Sequence, residues 1–221
     1  MKNNISAVIP VKANSTRLPN KNILPFGDSN LLISKINSLK KTNNLKEIIV
    51  SSDSDVMLKM AKENGVKAIK RPQEFADESR PFCDFLDYIC DIISGEHLLW
   101  SCCTSPFVEE NLFNKAINLY FQSLEKGNDS LITVLPFQHF LLDENGPMNF
   151  GIGRNHKNSQ FLPKYDFFTN GVVLAPKTVV QKLHYNFGNN PYRLIVSQKE
   201  AIDIDTEFDY LTAKAIKNLE N

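Results

Sequence analysis

Strand-like and helix-like segments alternate at least five times along this chain, which predicts an open, mostly parallel, twisted α/β sheet with helices on both faces. Two further observations agree. The strand candidates are short unbroken apolar runs such as ISAVIP, Ile5 to Pro10, as expected for strands buried on both faces, and the stretches between them carry apolar residues at helical spacing. In such sheets ligands collect outside the carboxyl ends of the strands.

Taken in order, the first strand runs straight into VKANSTRLPNKN, where Lys12, Arg17 and Lys21 stand with no acid among them. Leu31, Leu32, Lys35, Ile36 and Leu39 fall on a helical pattern, and EIIVSSD, ending at Asp53, predicts the second strand. Asp55 to Asn64 reads as a helix stopped by Gly65, a residue suited to the position after a helix end, with Asp53 expected to open it. VKAIKRP is a third strand ended by Pro72. Phe85, Tyr88, Ile89 and Ile92 predict a helix over 84–94, and HLLWSCCTSP a strand entering a turn. Leu112, Ala116, Leu119, Tyr120 and Leu124 predict an amphipathic helix over 111–124, followed by the strand SLITVLPF. From Gln138 to Asp166 the pattern dissolves into Asn, Gly, Pro and His, longer than an ordinary connection and expected to be a flap or a contact between copies. FFTNGVVLAP, a helix from about Pro176, YRLIVSQ and a closing helix from Thr206 complete the pattern.

A chain of 221 residues is expected to form one domain, 1–221, around a single core. Its 25 Lys and Arg balance 25 Asp and Glu, so no global field draws nucleic acid or an anionic membrane, and any anion site must be local. Cysteines 83, 90, 102 and 103 lack metal-ligand spacing, and the adjacency of the last two argues against a disulfide framework. Histidines 97, 139, 156 and 184 are equally scattered. Met1 to Ile9 has no apolar leader, and no run approaches the roughly 18 apolar residues of a membrane span. A cytoplasmic location with reduced thiols is the expectation.

The cationic loop has neither a Walker A pattern nor the glycine fingerprint of a dinucleotide site. Instead Lys12, Asn14, Ser15, Thr16, Arg17, Lys21 and Asn22 offer cationic heads and neutral donors, suited to oxygens spread over a triphosphate; a solvated basic turn is the alternative. Asn14 and Asn20 are the residues best able to take a positive φ there. Near the other end, Asp203 and Asp205 stand two apart in AIDIDTEFD, so in an extended segment both carboxylates face one way and Ile202 and Ile204 face the core. Such a pair suits Mg²⁺, which completes its shell with water and phosphate. The alternative is helix capping, since Thr206 and Asp209 have capping-box spacing. For Arg71 the alternative is a surface ion pair, for Asn170-Gly171 a hairpin turn. Of Phe161, Phe167 and Phe168, which could line an acceptor pocket, two are expected in the core.

Six landmarks in order, from residue 9 to 209, resemble the cytidylyltransferases that activate acidic sugars, the acylneuraminate and CMP-Kdo synthetases. IPVKANSTRLPNKN is similar to the family's I-P-A-R-x-x-S-x-R-L-P-x-K-N, and IIVSSDSD to its V-S-T-D segment. KRPQEFADES is similar to R-P-x-x-L-A-x-D-x-S, CCTSPF to Q-P-T-S-P-L, NGVVLAP to N-G-A-I-Y, and IDIDTEFD to I-D-I-D-T-x-x-D. The resemblance implies a Rossmann-like sheet of the nucleotide-diphospho-sugar-transferase kind that moves CMP from CTP to a small acidic acceptor, releasing pyrophosphate, in the synthesis of surface polysaccharide. It implies catalytic roles for Lys12, Arg17 and Lys21, and nucleotide contacts from Asn14, Ser15, Asn22, Arg71 and Asp77. It also implies acceptor contacts from Thr104, Ser105 and Asn170, Mg²⁺ on Asp203 and Asp205, and a homodimer joined through 138–166. Departures gather on the acceptor side, where the family's Gln is Cys102, an arginine is Val108 and another falls near Ser159. A neutral residue there forgoes a charge-assisted contact of about 1.5 to 3 kcal/mol, so an acceptor other than sialic acid is expected, with Arg154, Lys157 or Lys164 as substitute cations. A cytidylyltransferase acting on a phosphorylated or otherwise unusual acceptor, a sugar-1-phosphate nucleotidyltransferase, a glycosyltransferase of related fold and a catalytically silent binding subunit remain open.

Overall fold

Seven strands make one sheet: β1 (Ile5–Pro10), β2 (Leu45–Ser52), β3 (Lys67–Lys70), β4 (His97–Trp100), β5 (Ser130–Phe137), β6 (Tyr165–Pro176) and β7 (Pro191–Ile195). The structure is a computed structural model that describes residues 4–15, 17–77 and 79–220. Thr16 of the cationic loop and Met1 to Asn3 lie outside the described residues. The spatial order is β3-β2-β1-β4-β6-β5-β7; β6 runs antiparallel to both neighbours and every other pairing is parallel. The mostly parallel sheet read from the alternation is therefore the one observed.

Helices α1 (Leu31–Lys41), α2 (Asp55–Glu63), α4 (Glu110–Leu124) and α6 (Glu207–Asn218) cover one face; α3 (Phe82–Ile92) and α5 (Lys177–Leu183) cover the other. Within β1 the pleat sends Ile5, Ala7 and Ile9 into the first core and Val8 into the second. Because both faces are covered, the strand is apolar apart from Ser6, whose buried hydroxyl donates to Glu47, which is why ISAVIP lacks alternation.

Local chemistry sets the boundaries. Asn30 accepts the Ile33 N–H to open α1, and Thr206 and Asp209 form a reciprocal capping box on α6. Gly65 closes the α2 turn at φ +72°, a left-handed geometry that favours glycine. Asp53 does not open α2 as expected. Ser54 does, accepting from Met57 N–H, because the Asp53 carboxylate is turned to the first loop.

Three further readings change. The irregular excursion ends at Lys164, since Tyr165 and Asp166 already pair with Phe137 and Pro136; inside it, Leu142–Asp143 and Gly146–Pro147 form a small ribbon. Asn170-Gly171 is not a hairpin turn. It lies inside β6, with Asn170 at φ +53°, where the ladder to β5 shifts between Phe168 and Val173. A side chain at Gly171 would meet Val108 Cγ2 at 2.9 Å, so the irregularity sits against the loop after β4. Phe168 alone of the three phenylalanines packs on the core, while Phe161 and Phe167 are 67% and 54% exposed, Phe161 lying in the excursion and Phe167 on the part of β6 that pairs with β5 alone.

Candidate active site

Loops from the carboxyl ends of β1, β3 and β4 enclose a cavity of about 700 Å³. Lys12, Ser15, Arg17, Lys21 and Asn22 line it from the first loop, Arg71, Phe75 and Arg80 from the segment after β3, Phe82 and Phe85 from α3, and Cys102, Cys103 and Thr104 from the segment after β4. Among these described lining residues Lys12, Arg17, Lys21, Arg71 and Arg80 are cationic and none is a carboxylate. The net-neutral chain thus concentrates positive charge where a polyanion fits.

The loop owes its shape to contacts distant in sequence. Ala13 N–H donates to Asp53 Oδ1 at 2.8 Å, Asn22 Nδ2 donates to Lys12 O at 3.0 Å, and Cys103 Sγ donates to Asn22 Oδ1 at 3.2 Å. Asn22 is buried and tied to both segments it joins. Asn20 takes a positive φ of 54°; Asn14 does not, is exposed, and lies off the cavity wall.

Arg71 is 5% exposed and is no surface ion pair. Its Nη2 donates to Ser51 O at 2.8 Å, and its guanidinium lies 4.3 Å from the centre of the Phe85 ring. Burial lowers its pKa to about 10, with the Asp53 charge acting against the shift, so it stays cationic at neutral pH. Asp77 stands apart: it is exposed, off the cavity, and accepts the Ser79 N–H at 3.0 Å within its own turn.

The two ends of the chain meet at this cavity. Asp205 Oδ1 accepts from Arg17 Nη2 and from Lys21 Nζ, each at 2.8 Å. The capping of α6 falls to Thr206 and Asp209, which leaves the Asp205 carboxylate available to the cations. Asp203 lies deeper; burial raises its pKa, the Thr104 hydroxyl draws it down, and Asp205 raises it further. Its Oδ1 is enclosed with no hydrogen-bond partner. Ile204 between them is fully buried, and its N–H donates to Thr104 O at 2.8 Å. Two hard carboxylates, one with an orphaned oxygen, beside lysine and arginine fit a Mg²⁺ ion that takes its other ligands from phosphate and water. No group of three or more His, Cys, Asp or Glu able to hold a metal occurs among the described residues.

On the acceptor side, Asn170 Nδ2 reaches Cys102 Sγ at 3.8 Å, and its Oδ1 is buried without a partner. Burial pushes the Cys102 and Cys103 thiols up to about 12, so neither is a nucleophile at neutral pH. Thr104 reaches the cavity; Ser105 is buried behind it. Val108 is fully buried in the core. The sequence reading missed Phe75, Arg80 and Phe82. Phe82 begins a helix, and Arg80 sits in a turn with no periodic signal, so only the folding of α3 against β3 and β4 reveals them.

A cationic cavity with a carboxylate pair at its edge, over the strand ends of this sheet order, defines an α/β protein of the nucleotidyltransferase fold. Solved structures agree on that fold: CMP:2-keto-3-deoxy-manno-octonic acid synthetase complexed with CTP superposes with TM-score 0.72 at 12% identity over 98% of this chain and 99% of that one. The 4-diphosphocytidyl-2C-methyl-D-erythritol synthase of Anaerococcus prevotii gives TM-score 0.65 at 15% identity over 100% and 97%. Residues 6–147 match the family model for cytidylyltransferases, and the chain belongs to that family. An N-acylneuraminate cytidylyltransferase of Escherichia coli is 26% identical over 100% of this chain and 54% of its own length. A pseudaminic acid cytidylyltransferase of Campylobacter jejuni is 23% identical over 95% and 94%. The chain spans about half the length of the N-acylneuraminate cytidylyltransferases it matches.

Proposed function

We propose that this chain transfers CMP from CTP to a small sugar acid of the nonulosonate or Kdo kind, releasing pyrophosphate, as a cytoplasmic step in making surface polysaccharide. The observation that carries the reading is the meeting of Arg17 and Lys21 with Asp205 at 2.8 Å, because cations from one end of the chain and a carboxylate from the other then come together at one cavity. An acceptor hydroxyl attacks the α-phosphorus, and charge grows on the leaving pyrophosphate and the equatorial oxygens. Lys12, Arg17 and Lys21 line the cavity, which supports assigning them to the neutralisation of that charge. Arg71, held by Ser51 and stacked on Phe85, closes the end of the cavity suited to the nucleoside.

Asp203 and Asp205 would hold the Mg²⁺ of this reading, which would supply charge neutralisation at the phosphates. Family relatives are named for N-acylneuraminate and pseudaminic acid, which supports a nonulosonate acceptor. Val108 in the core leaves the acceptor carboxylate to other cations, and Arg154, Lys157 and Lys164 stand exposed on the excursion. The same excursion and its margin expose Leu142, Met148, Ile152, Phe161 and Phe167 by more than half each, an apolar surface that supports a homodimer. Ile152→Glu or Phe161→Glu should give monomers by light scattering.

A nucleotide panel with Mg²⁺ tests the donor. CTP at a hundred times its Kd should stabilise the native state by about 2.7 kcal/mol, or about 5 to 10 °C, and UTP, GTP and dTTP should not. A larger shift with UTP, GTP or dTTP would overturn the reading, as would absence of pyrophosphate release with CTP and N-acetylneuraminate, pseudaminic acid or Kdo.

A further inference from the structure

Lys35 lies on α1 within the apolar stripe of Leu32, Ile36 and Leu39, outside the cavity and 1% exposed. An apolar residue would complete that stripe, and burying an ammonium is costly unless its donors are satisfied. Here Nζ donates to Ser105 O at 2.9 Å and to Val108 O at 2.6 Å, with the Phe113 ring centre 5.1 Å away. Both carbonyls belong to one turn between β4 and α4, closed by Val108 N–H to Ser105 O. That turn is the buried continuation of the stretch that lines the cavity. Thr104 O receives the Ile204 N–H between the two aspartates, and Cys103 Sγ donates to Asn22 Oδ1 in the cationic loop. One segment therefore joins the cations to the carboxylates, and the Lys35 ammonium ties its turn to α1 alongside the buried side chains of Cys103, Phe107 and Val108.

We propose, on the reading of the cavity given above, that Lys35 is a positioning residue: it holds the Cys102–Val108 segment so that Thr104 and the Asp203–Asp205 pair stay in register with the cationic loop. Lys35→Met keeps length and apolar fit but removes the donors. It should lower kcat roughly tenfold to a hundredfold while KM for CTP stays close to that of the wild type, because the nucleotide loop keeps its own tie to Asp53. The segment itself reports independently of turnover. In Lys35→Met under native conditions, iodoacetamide should label Cys102 and Cys103 at least about tenfold faster relative to Cys90, which is buried on the opposite face of the sheet. Should Lys35→Met not fold, Lys35→Leu, which also removes the donors, carries the same comparison. Unchanged labelling ratios in a folded variant overturn the proposal, as does a rise shared equally by Cys90, which would mean general loosening. If the wild type turns over none of the three acceptors, the functional reading fails, and the labelling ratio still decides the role of Lys35.

Discussion

Asp53→Ala isolates the contact that shapes the first loop. The Asp53 carboxylate is half-buried, accepts the Ala13 N–H at 2.8 Å, and is the charge that acts against the burial of Arg71. A hydrogen bond to a charged acceptor contributes about 1.5 to 3 kcal/mol, and partial exposure places this one near the lower figure. At about 2 to 4 °C per kcal/mol for a chain of this length, Asp53→Ala should lower the unfolding temperature by about 3 to 6 °C. The α2 cap on Ser54 is untouched, so the loss is not a helix effect. The released loop should then bind CTP about tenfold more weakly, the equivalent of about 1.4 kcal/mol, and Asp53→Asn, which keeps an acceptor oxygen but no charge, should fall between. Differential scanning fluorimetry and the CTP dependence of pyrophosphate release measure both. If Asp53→Ala unfolds within about 1 °C of the wild type and its KM for CTP is unchanged, the loop is held by something other than this bond.

Three further outcomes follow from the geometry. In Asp205→Asn the pairs with the largely exposed Arg17 and the mostly buried Lys21 are lost, each contributing no more than about 1 kcal/mol, so stability should fall by at most about 2 kcal/mol while turnover falls on the order of a hundredfold or more; turnover within about tenfold of wild type would refute its role. Arg71→Lys keeps charge but loses the planar fork that reaches Ser51 O while lying on Phe85, and KM for CTP should rise about tenfold, read in the same assay. Burial lowers the Lys35 pKa from 10.5 to about 8, so between those values the unfolded chain binds a proton that the folded one does not, and stability gained through Lys35 must rise with pH. Urea melts of the wild type against Lys35→Met at pH 8 and pH 10 should diverge in favour of the wild type, by no more than about 3 kcal/mol; a difference that is flat or narrows with pH would contradict the buried ammonium.

The alternation of elements was legible because apolar runs, helical spacing and residues such as Gly65 and Thr206 act on their immediate neighbours. The antiparallel β6 was not, since strand direction depends on where a chain returns rather than on its own residues. Nor was the break at Asn170-Gly171, which looks like a turn pair and instead bends a strand against Val108. Asp53 was misread for the same reason: its helix-opening position is local, whereas its partner Ala13 is 40 residues away.

From the sequence alone came the sheet class, the concentration of cations after the first strand, the paired aspartates two apart, and the order of landmarks that marks the family. The tertiary structure decided which of those groups share a space: Arg17 with Asp205, Arg71 with Ser51 and Phe85, and Lys35 with a turn 70 residues further on. Periodicity records only which side of an element faces the core. Hydrogen bonds need donor and acceptor within about 3 Å, and charges are screened beyond about 10 Å in salt, so pairings between distant segments exist only once the whole sheet has closed.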